Sequence, residues 1–239
     1  MGKTTNMSWN FKPLLRDEVS LDEASGVYTT YGMPPGSYDN KAATYDAIMT
    51  AGLYNRMMWG NSPSNYSDFA EKSLNAKASG TLLDVGCGTL AFTAAVYNAN
   101  TTREIILSDY SLGMMDYGKN RLDKDKKNIV WLRADGFNLP FKEESLDTVV
   151  CHGTLHVFED RLAFCKEMYR VLKPDGDAHF TSLVTDRWLS EKYIKSLHQS
   201  GEMGTPKTAK EVIAIVQEAG FKTTANLIGG MVYIDCLKK

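Results

Sequence analysis

Asp84, Gly86 and Gly88 stand at alternate positions where the apolar run Leu82-Leu83-Asp84-Val85 ends. Such a run reads as a buried parallel strand, and the stretch after it, Thr89 to Asn98, has a helical pattern. Glycines at a strand-to-helix turn let the backbone bend sharply and let a bound molecule approach with no Cβ in the way. Asp109 follows at the distance expected of an acid that pairs with both hydroxyls of a ribose. The chemistry these residues suit is the binding of a nucleotide at the carboxyl end of a strand.

Gly86-x-Gly88-x-x-Ala91 satisfies the dinucleotide fingerprint, which alone suits NAD and S-adenosylmethionine equally. Three features favour the second. Asp84 would repel a pyrophosphate and suits a cationic amino group. Asp135, opening Asp-Gly-Phe-Asn-Leu-Pro-Phe, can accept from an adenine amino group. The third is a closing hairpin, described below. His152 and His156 lie four apart where the chain leaves the fourth strand of this region. His156 is the first candidate for a base or acceptor-orienting group and His152 the second, against the plainer reading that His156 caps a helix or bonds the backbone. Two histidines without a third ligand make no zinc site, and no metal is expected. His179 and His198 read as structural or solvated.

These residues need a sheet to position them. Strands are expected near 82–86, 104–108, 128–133, 146–151 and 177–184, with helices between them at about 89–98, 112–123 and 158–173. That alternation implies a parallel, doubly wound α/β sheet. Lys173-Pro-Asp-Gly176 is a stop and turn before the fifth strand. Thr208-Ala-Lys-Glu211 fits a capping box opening a helix that Gly220 closes. Two final runs, 222–228 and 231–237, flank Gly229-Gly230 and should pair as an antiparallel hairpin. Residues 1–40 read as an irregular arm or lid broken by Gly32, Pro34, Pro35 and Gly36. Helices are expected over Lys41–Trp59 and after Pro63, the latter turning Phe69 and Leu74 inward.

At this point the chain resembles the class I S-adenosylmethionine-dependent methyltransferases. The matching pieces are Leu-Leu-Asp-Val-Gly-Cys-Gly-Thr (82–89), Asp-Tyr-Ser-Leu-Gly-Met (109–114), Asp-Gly-Phe-Asn-Leu-Pro-Phe (135–141), Leu-Asp-Thr-Val-Val-Cys-His (146–152), Arg-Val-Leu-Lys-Pro-Asp-Gly (170–176) and Ala-Gly-Phe (219–221). They fall in the family's order across about residues 80–239, and the nearest flavour is the small-molecule and quinone-ring branch. Leu90 departs from the pattern, where the family usually has a third glycine. The resemblance implies a Rossmann-like, seven-stranded, mostly parallel sheet with a C-terminal antiparallel hairpin and an N-terminal helical cap. It also implies roles. Gly86, Cys87 and Gly88 form the cofactor loop, and Asp84 orders the cofactor's amino group. Asp109 holds the ribose, and Tyr110 and Met114 sandwich the adenine, with ordinary core packing the lesser alternative, weaker still for Tyr110 at its strand end. Asp135 and the Gly136 amide read the adenine edge. His152 sits beside the reacting methyl, and Tyr45 on the first helix bonds the methionine carboxylate or packs in the core. Arg56 is a second candidate for that carboxylate, set against a surface role.

The organisation expected is one methyltransferase domain over 1–239, with an arm and cap at 1–60, a core at 80–239 and a cap insertion at 185–207. Tyr28, Tyr31, Tyr38, Trp188 and Tyr193 would suit an apolar acceptor pocket closed by the arm and the insertion. Basic residues number 27 and acidic ones 29, so no global field draws the chain to nucleic acid. The lysines at 119, 124, 126 and 127 are interleaved with acids and read as a solvated helix end. Four cysteines with no paired spacing read as reduced, mostly buried thiols. With no apolar leader and no run of membrane-spanning length, a cytoplasmic protein is expected. The lead reading is methyl transfer to a small, aromatic or otherwise apolar metabolite. An RNA or protein methyltransferase, a non-catalytic cofactor-binding protein of the same fold and an NAD-dependent oxidoreductase are the alternatives. Acceptor, attacking atom and oligomeric state are left open.

Overall fold

A computed structural model describes residues 9–34, 36 and 39–239. Its first strands form a hairpin, β1 (Val19–Asp22) with β2 (Val27–Thr30). The Asp22 carboxylate closes the turn by accepting from the Ala24 N–H (3.0 Å) and the Ser25 hydroxyl (2.7 Å), and Gly26 takes a φ of 68°. The arm expected to be irregular over residues 1–40 is therefore partly sheet. The short strands hid this, since β1 is almost wholly exposed and shows no apolar alternation.

Next come α1 (Ala42–Thr50), α2 (Gly52–Tyr54) running into a π-helical turn at Asn55–Trp59, and α3 (Pro63–Asn75). The single helix expected over Lys41–Trp59 breaks at Ala51, whose ψ of 88° is not helical. Ser62 caps α3 by accepting from the Ser64 N–H, with Pro63 opening the helix and Phe69 and Leu74 buried. The core then alternates: β3 (Thr81–Val85), α4 (Ala94–Ala99), β4 (Glu104–Asp109), α5 (Leu112–Lys119), β5 (Ile129–Arg133), β6 (Leu146–Cys151), α6 (Arg161–Val171) and β7 (Leu172–Leu183). After it come α7 (Trp188–Gln199), α8 (Ala209–Glu218), β8 (Lys222–Ile228) and β9 (Met231–Leu237). The capping box at Thr208 and Glu211 is present, and Ile228 pairs with Met231 across the two-glycine turn. The expected turn at residues 173–176 lies inside β7, as an irregularity where Asp175 takes a φ of 58° and the register with β6 jumps.

The described residues form one sheet of nine strands, in the order β1-β2-β5-β4-β3-β6-β7-β9-β8. The expected count of seven is corrected to nine, because β2 adds in parallel to the edge of β5 and carries β1 with it. The pairs from β2 to β7 are parallel, while β1, β9 and β8 join antiparallel. Neighbouring side chains on a strand go to opposite faces. Leu83 and Ile106 pack into the larger core with Phe164 and Val212, and Leu82 and Ile105 pack beneath Tyr97 and Met115. The chain winds outward from β3 through β4 and β5, then returns to the other side of β3 as β6. Ligands of doubly wound sheets bind at that reversal, outside the carboxyl ends of the strands.

Candidate functional site

β3 ends at the reversal, and its glycine loop is built by backbone constraints. Gly86 takes a φ of 72°, and a Cβ there would fall 2.7 Å from the Thr154 hydroxyl oxygen. That hydroxyl instead donates to the Gly86 carbonyl at 3.1 Å. Gly88 takes a φ of 57°. Leu90 takes a φ of 54°, a region ordinary side chains avoid, and is almost wholly buried in the core beneath the sheet. The irregular position noticed in the sequence is thus a left-handed residue held in place by burial. It also delays the helix: the expected start at residue 89 is corrected to Ala94, after a run of turns.

The two acids flanking the loop are held differently. Asp109 accepts from the Gly88 N–H and the Ser111 N–H, both at 2.8 Å, one on each oxygen. Burial raises its pKa, with the Ser111, Gly88 and Tyr110 N–H groups pulling the other way. Asp84 is buried, with one oxygen accepting from the Tyr97 hydroxyl at 2.8 Å and the other, Oδ1, without a partner. Burial pushes its carboxyl up to about 7; Tyr97 opposes this and Asp109 adds to it. Tyr97 was missed in the sequence, where the only signal was a hydroxyl on the helix that follows the loop.

Asp84 and the glycine loop open on a cavity of about 530 Å³, part of it open solvent, walled also by Tyr45, Phe92 and His152. Cys87 lines it too, its thiol pushed up by burial. Met49 and Tyr66 complete the side under the cap, with Tyr66 stacked on Phe92 at 4.5 Å. Both ring nitrogens of His152 are buried without a partner, and Phe69 meets its ring edge-on at 5.6 Å. Burial, reinforced by nearby His179, lowers the His152 pKa to about 3, so the ring is neutral.

His156 lies elsewhere. Its Nδ1 accepts from the Leu183 N–H at 3.2 Å, its carbonyl takes an Arg161 N–H at 3.0 Å, and it does not line this cavity. Burial, with Arg161 beside it, lowers its pKa to about 3. The order of the two histidines as cavity groups is therefore reversed from the sequence reading. His179 is buried between Asp177 (3.1 Å) and Asp235 (2.9 Å); burial opposes its charge, but the two carboxylates outweigh it and raise its pKa.

Beyond the cavity, Met114 is buried, and its Cε would lie 3.5 Å from a Cβ at Gly88. Tyr110 is half-buried under the Arg133 guanidinium, 5.7 Å from the ring centre. Asp135 and Gly136 are half-buried; Asp135 accepts from the Phe137 N–H at 2.9 Å, and a Cβ on Gly136 would meet Phe164 at 2.8 Å. Asp39 of the N-terminal segment reaches this side, accepting from the Ser111 hydroxyl at 2.6 Å and from the Gly113 N–H at 3.3 Å. Burial alone would raise that carboxyl, but these donors, the Gly36 N–H and Arg133 outweigh it and hold it low.

The aromatic residues expected to close an acceptor pocket are not brought together. Tyr28 packs on Phe11 in the core at 4.8 Å, Tyr31 is fully exposed, and Tyr193 packs on Trp59 at 4.8 Å. Tyr38 lies outside the described residues. Arg56 is exposed, and the lysine cluster is partly tethered, Lys119 donating to the Ser25 carbonyl and Lys126 to that of Asn100, both at 2.8 Å.

Residues 83–180 match the family described as "Methyltransferase domain". A demethylmenaquinone methyltransferase of Staphylococcus saprophyticus is 41% identical over 106 residues, 44% of this chain and 45% of that protein. The chain thus spans less than half the length of the curated relatives it matches. Among solved structures, phosphoethanolamine N-methyltransferase 2 of Haemonchus contortus, in complex with S-adenosyl-L-methionine, aligns with a TM-score of 0.66 at 15% identity, covering 84% of this chain and 57% of that one. The cyclase SpnF aligns with a TM-score of 0.62 at 16% identity, covering 87% of this chain and 99% of that one. At such identities the structures show a shared fold, and the cyclase shows that the fold alone does not fix the reaction.

Proposed function

We propose, from the class I S-adenosylmethionine-dependent methyltransferase domain that this chain carries, that it transfers a methyl group to a small, apolar, quinone-like ring. One observation carries the cofactor half of this reading. Asp84, whose Oδ1 is buried with no partner, lines a glycine-walled cavity, and Asp109 is pinned to the Gly88 N–H of that wall and to the Ser111 N–H. A buried anion lacking a donor is costly and is matched by an ammonium. Each Asp109 oxygen keeps lone-pair capacity for a ribose hydroxyl after accepting one N–H. The similarity to demethylmenaquinone methyltransferases supports the acceptor half.

When bound, the cofactor supplies a methyl group on a positively charged sulfur for in-line displacement. This chain's residues then have to bind, align and exclude water. Asp84 holds the amino group, Asp109 the ribose, and Gly86, Cys87 and Gly88 let the cofactor lie against backbone. Tyr110, Met114, Asp135 and Gly136 form the adenine side, and Tyr45 covers the methionine end. His152, neutral and unpartnered in the wall, orients the acceptor by accepting a hydrogen bond from its hydroxyl. His156 fixes the start of the segment leaving β6. Residues 1–239 act as one unit on this reading. Four free, buried cysteines suit a reducing, cytoplasmic setting. The near-even charge balance suits a small molecule over nucleic acid.

Thermal melting tests the cofactor. S-adenosylhomocysteine at a hundredfold excess over its Kd should stabilise by about 2.7 kcal/mol, or roughly 5–10 °C in a chain of this size, while NADH does nothing. The opposite pattern overturns the reading. Asp109→Ala should remove the shift, because it deletes the ribose partner and frees the Gly88 and Ser111 N–H groups. The acceptor is tested by transfer of labelled methyl to a soluble hydroxynaphthoquinone; transfer to RNA or protein alone would point to the other acceptor classes.

A further inference from the structure

The most exposed large apolar side chains near the cavity lie on its outer cap. Leu53 is 74% exposed and Met57 59%, four residues apart on one continuous helical run, and Trp188 at the start of α7 is 63% exposed. Ile48 on α1 is exposed as well. The two segments touch. Arg187 donates to the Met57 and Met58 carbonyls at 2.8 and 3.1 Å, and the Ser190 hydroxyl donates to Met58 at 3.1 Å. Trp59 turns inward against Tyr193, leaving Met57 and Trp188 to face solvent. Inward on α1, Tyr45 and Met49 line the cavity.

The charge around this patch leans positive. Arg56 and Lys192 are exposed, and the Lys192 ammonium sits 4.2 Å from the centre of the Trp188 ring. Two neighbouring carboxylates are ion-paired, Asp46 with Arg121 and Glu191 with Lys195 at 2.6 Å, while exposed Asp186 accepts from the Ala209 N–H at 2.7 Å and keeps its charge. A Trp with a cation over it, flanked by Leu and Met under a basic fringe, has the composition of an interfacial anchor. We infer that this face docks on a lipid bilayer bearing anionic headgroups, so that an apolar acceptor dissolved in the bilayer meets the cavity from the cap side. The inference rests on the apolar acceptor proposed above. Anionic lipid fits better than an acidic protein because the same helix that carries Ile48 outward lines the cavity inward.

Flotation with vesicles of phosphatidylcholine, alone or with phosphatidylglycerol, tests it on the full chain. Binding is expected to the anionic vesicles and to weaken with salt. Leu53→Ser with Met57→Ser should cut partitioning at least tenfold, and Lys192→Glu should do likewise. All three side chains are exposed and none lines the cavity, so S-adenosylhomocysteine affinity and turnover of a soluble hydroxynaphthoquinone should hold. Equal flotation of wild type and both variants overturns the inference, as does no flotation at all. A wild-type dimer by light scattering that the serine variant dissolves would assign the face to a second copy and also overturn it. Failure of turnover with the soluble acceptor would instead strike the proposed function, and the two failures are read separately.

Discussion

Asp84 is the residue whose physics is most exposed to measurement. Its carboxyl, pushed up to about 7 by burial against the pull of the Tyr97 hydroxyl, sits far above its ordinary 3.8. A raised acid carries no penalty below about 4; the burden on the empty protein grows as pH rises from about 4 to 7 and is complete above that. An ammonium placed against Oδ1 reverses that, because it favours the charged form. S-adenosylhomocysteine should therefore bind more tightly as pH rises from about 5.5 to 8, and at pH 6 binding should release close to one proton. Calorimetry in two buffers of different ionisation enthalpy counts the proton, and Asp84→Asn should abolish both effects. A flat affinity with no proton released would mean the amino group binds elsewhere. The acids and glycines were legible in the sequence because each sits in a motif. The strain at Leu90 was not: the sequence shows only a missing glycine, while the left-handed backbone and the burial that holds it are properties of the fold.

At the scale of elements, the cap helix is fastened to the cofactor loop by one guanidinium. Arg121, just beyond α5, meets both carboxylate oxygens of Asp46 on α1, at 2.6 and 2.8 Å, and donates to the Thr89 carbonyl at 2.8 Å. The pair is partly shielded, with side-chain exposures of 15% and 28%. The hydrogen bond from Arg121 holds the Asp46 carboxyl below its ordinary range. Its contribution is therefore full at neutral pH and is lost as pH falls below about 4. Asp46→Ala should loosen α1 without unfolding the core, weakening cofactor binding about 3- to 10-fold for a loss near 1 kcal/mol. Hydrogen exchange should quicken in residues 42–50 and not in β3 or β4. Unchanged exchange there would show that the helix is held by its apolar contacts alone. The helix itself was legible from the spacing of Tyr45, Ile48 and Met49. Its fastening was not, because Asp46 and Arg121 lie 75 residues apart and neither belongs to a motif.

For the whole molecule, the central sheet could be read because parallel strands covered on both faces appear as apolar runs between helices. The N-terminal strands could not, since four-residue edge strands carry too little pattern. Yet residues before β2 are built into the largest core. Phe11 is buried beside Tyr28 and shares that core with Leu139 and Phe141. The Arg16 N–H donates to the Pro140 carbonyl and the Lys142 N–H to that of Leu14, each at 2.9 Å. This stitching grips the segment that begins at Asp135 and forms the adenine side of the proposed site, so the arm braces the site instead of opening over it. Phe11→Ala separates the two descriptions. A loosely applied lid would lose under about 1 kcal/mol, as surface changes do, whereas a fully buried Phe truncated to Ala loses about 3–5 kcal/mol. Urea unfolding of wild type and variant should give the larger value, with an unchanged slope if the unfolded states match. Removing residues 1–31 should go further, stripping β2 from β5 and leaving an unpaired apolar edge that aggregates.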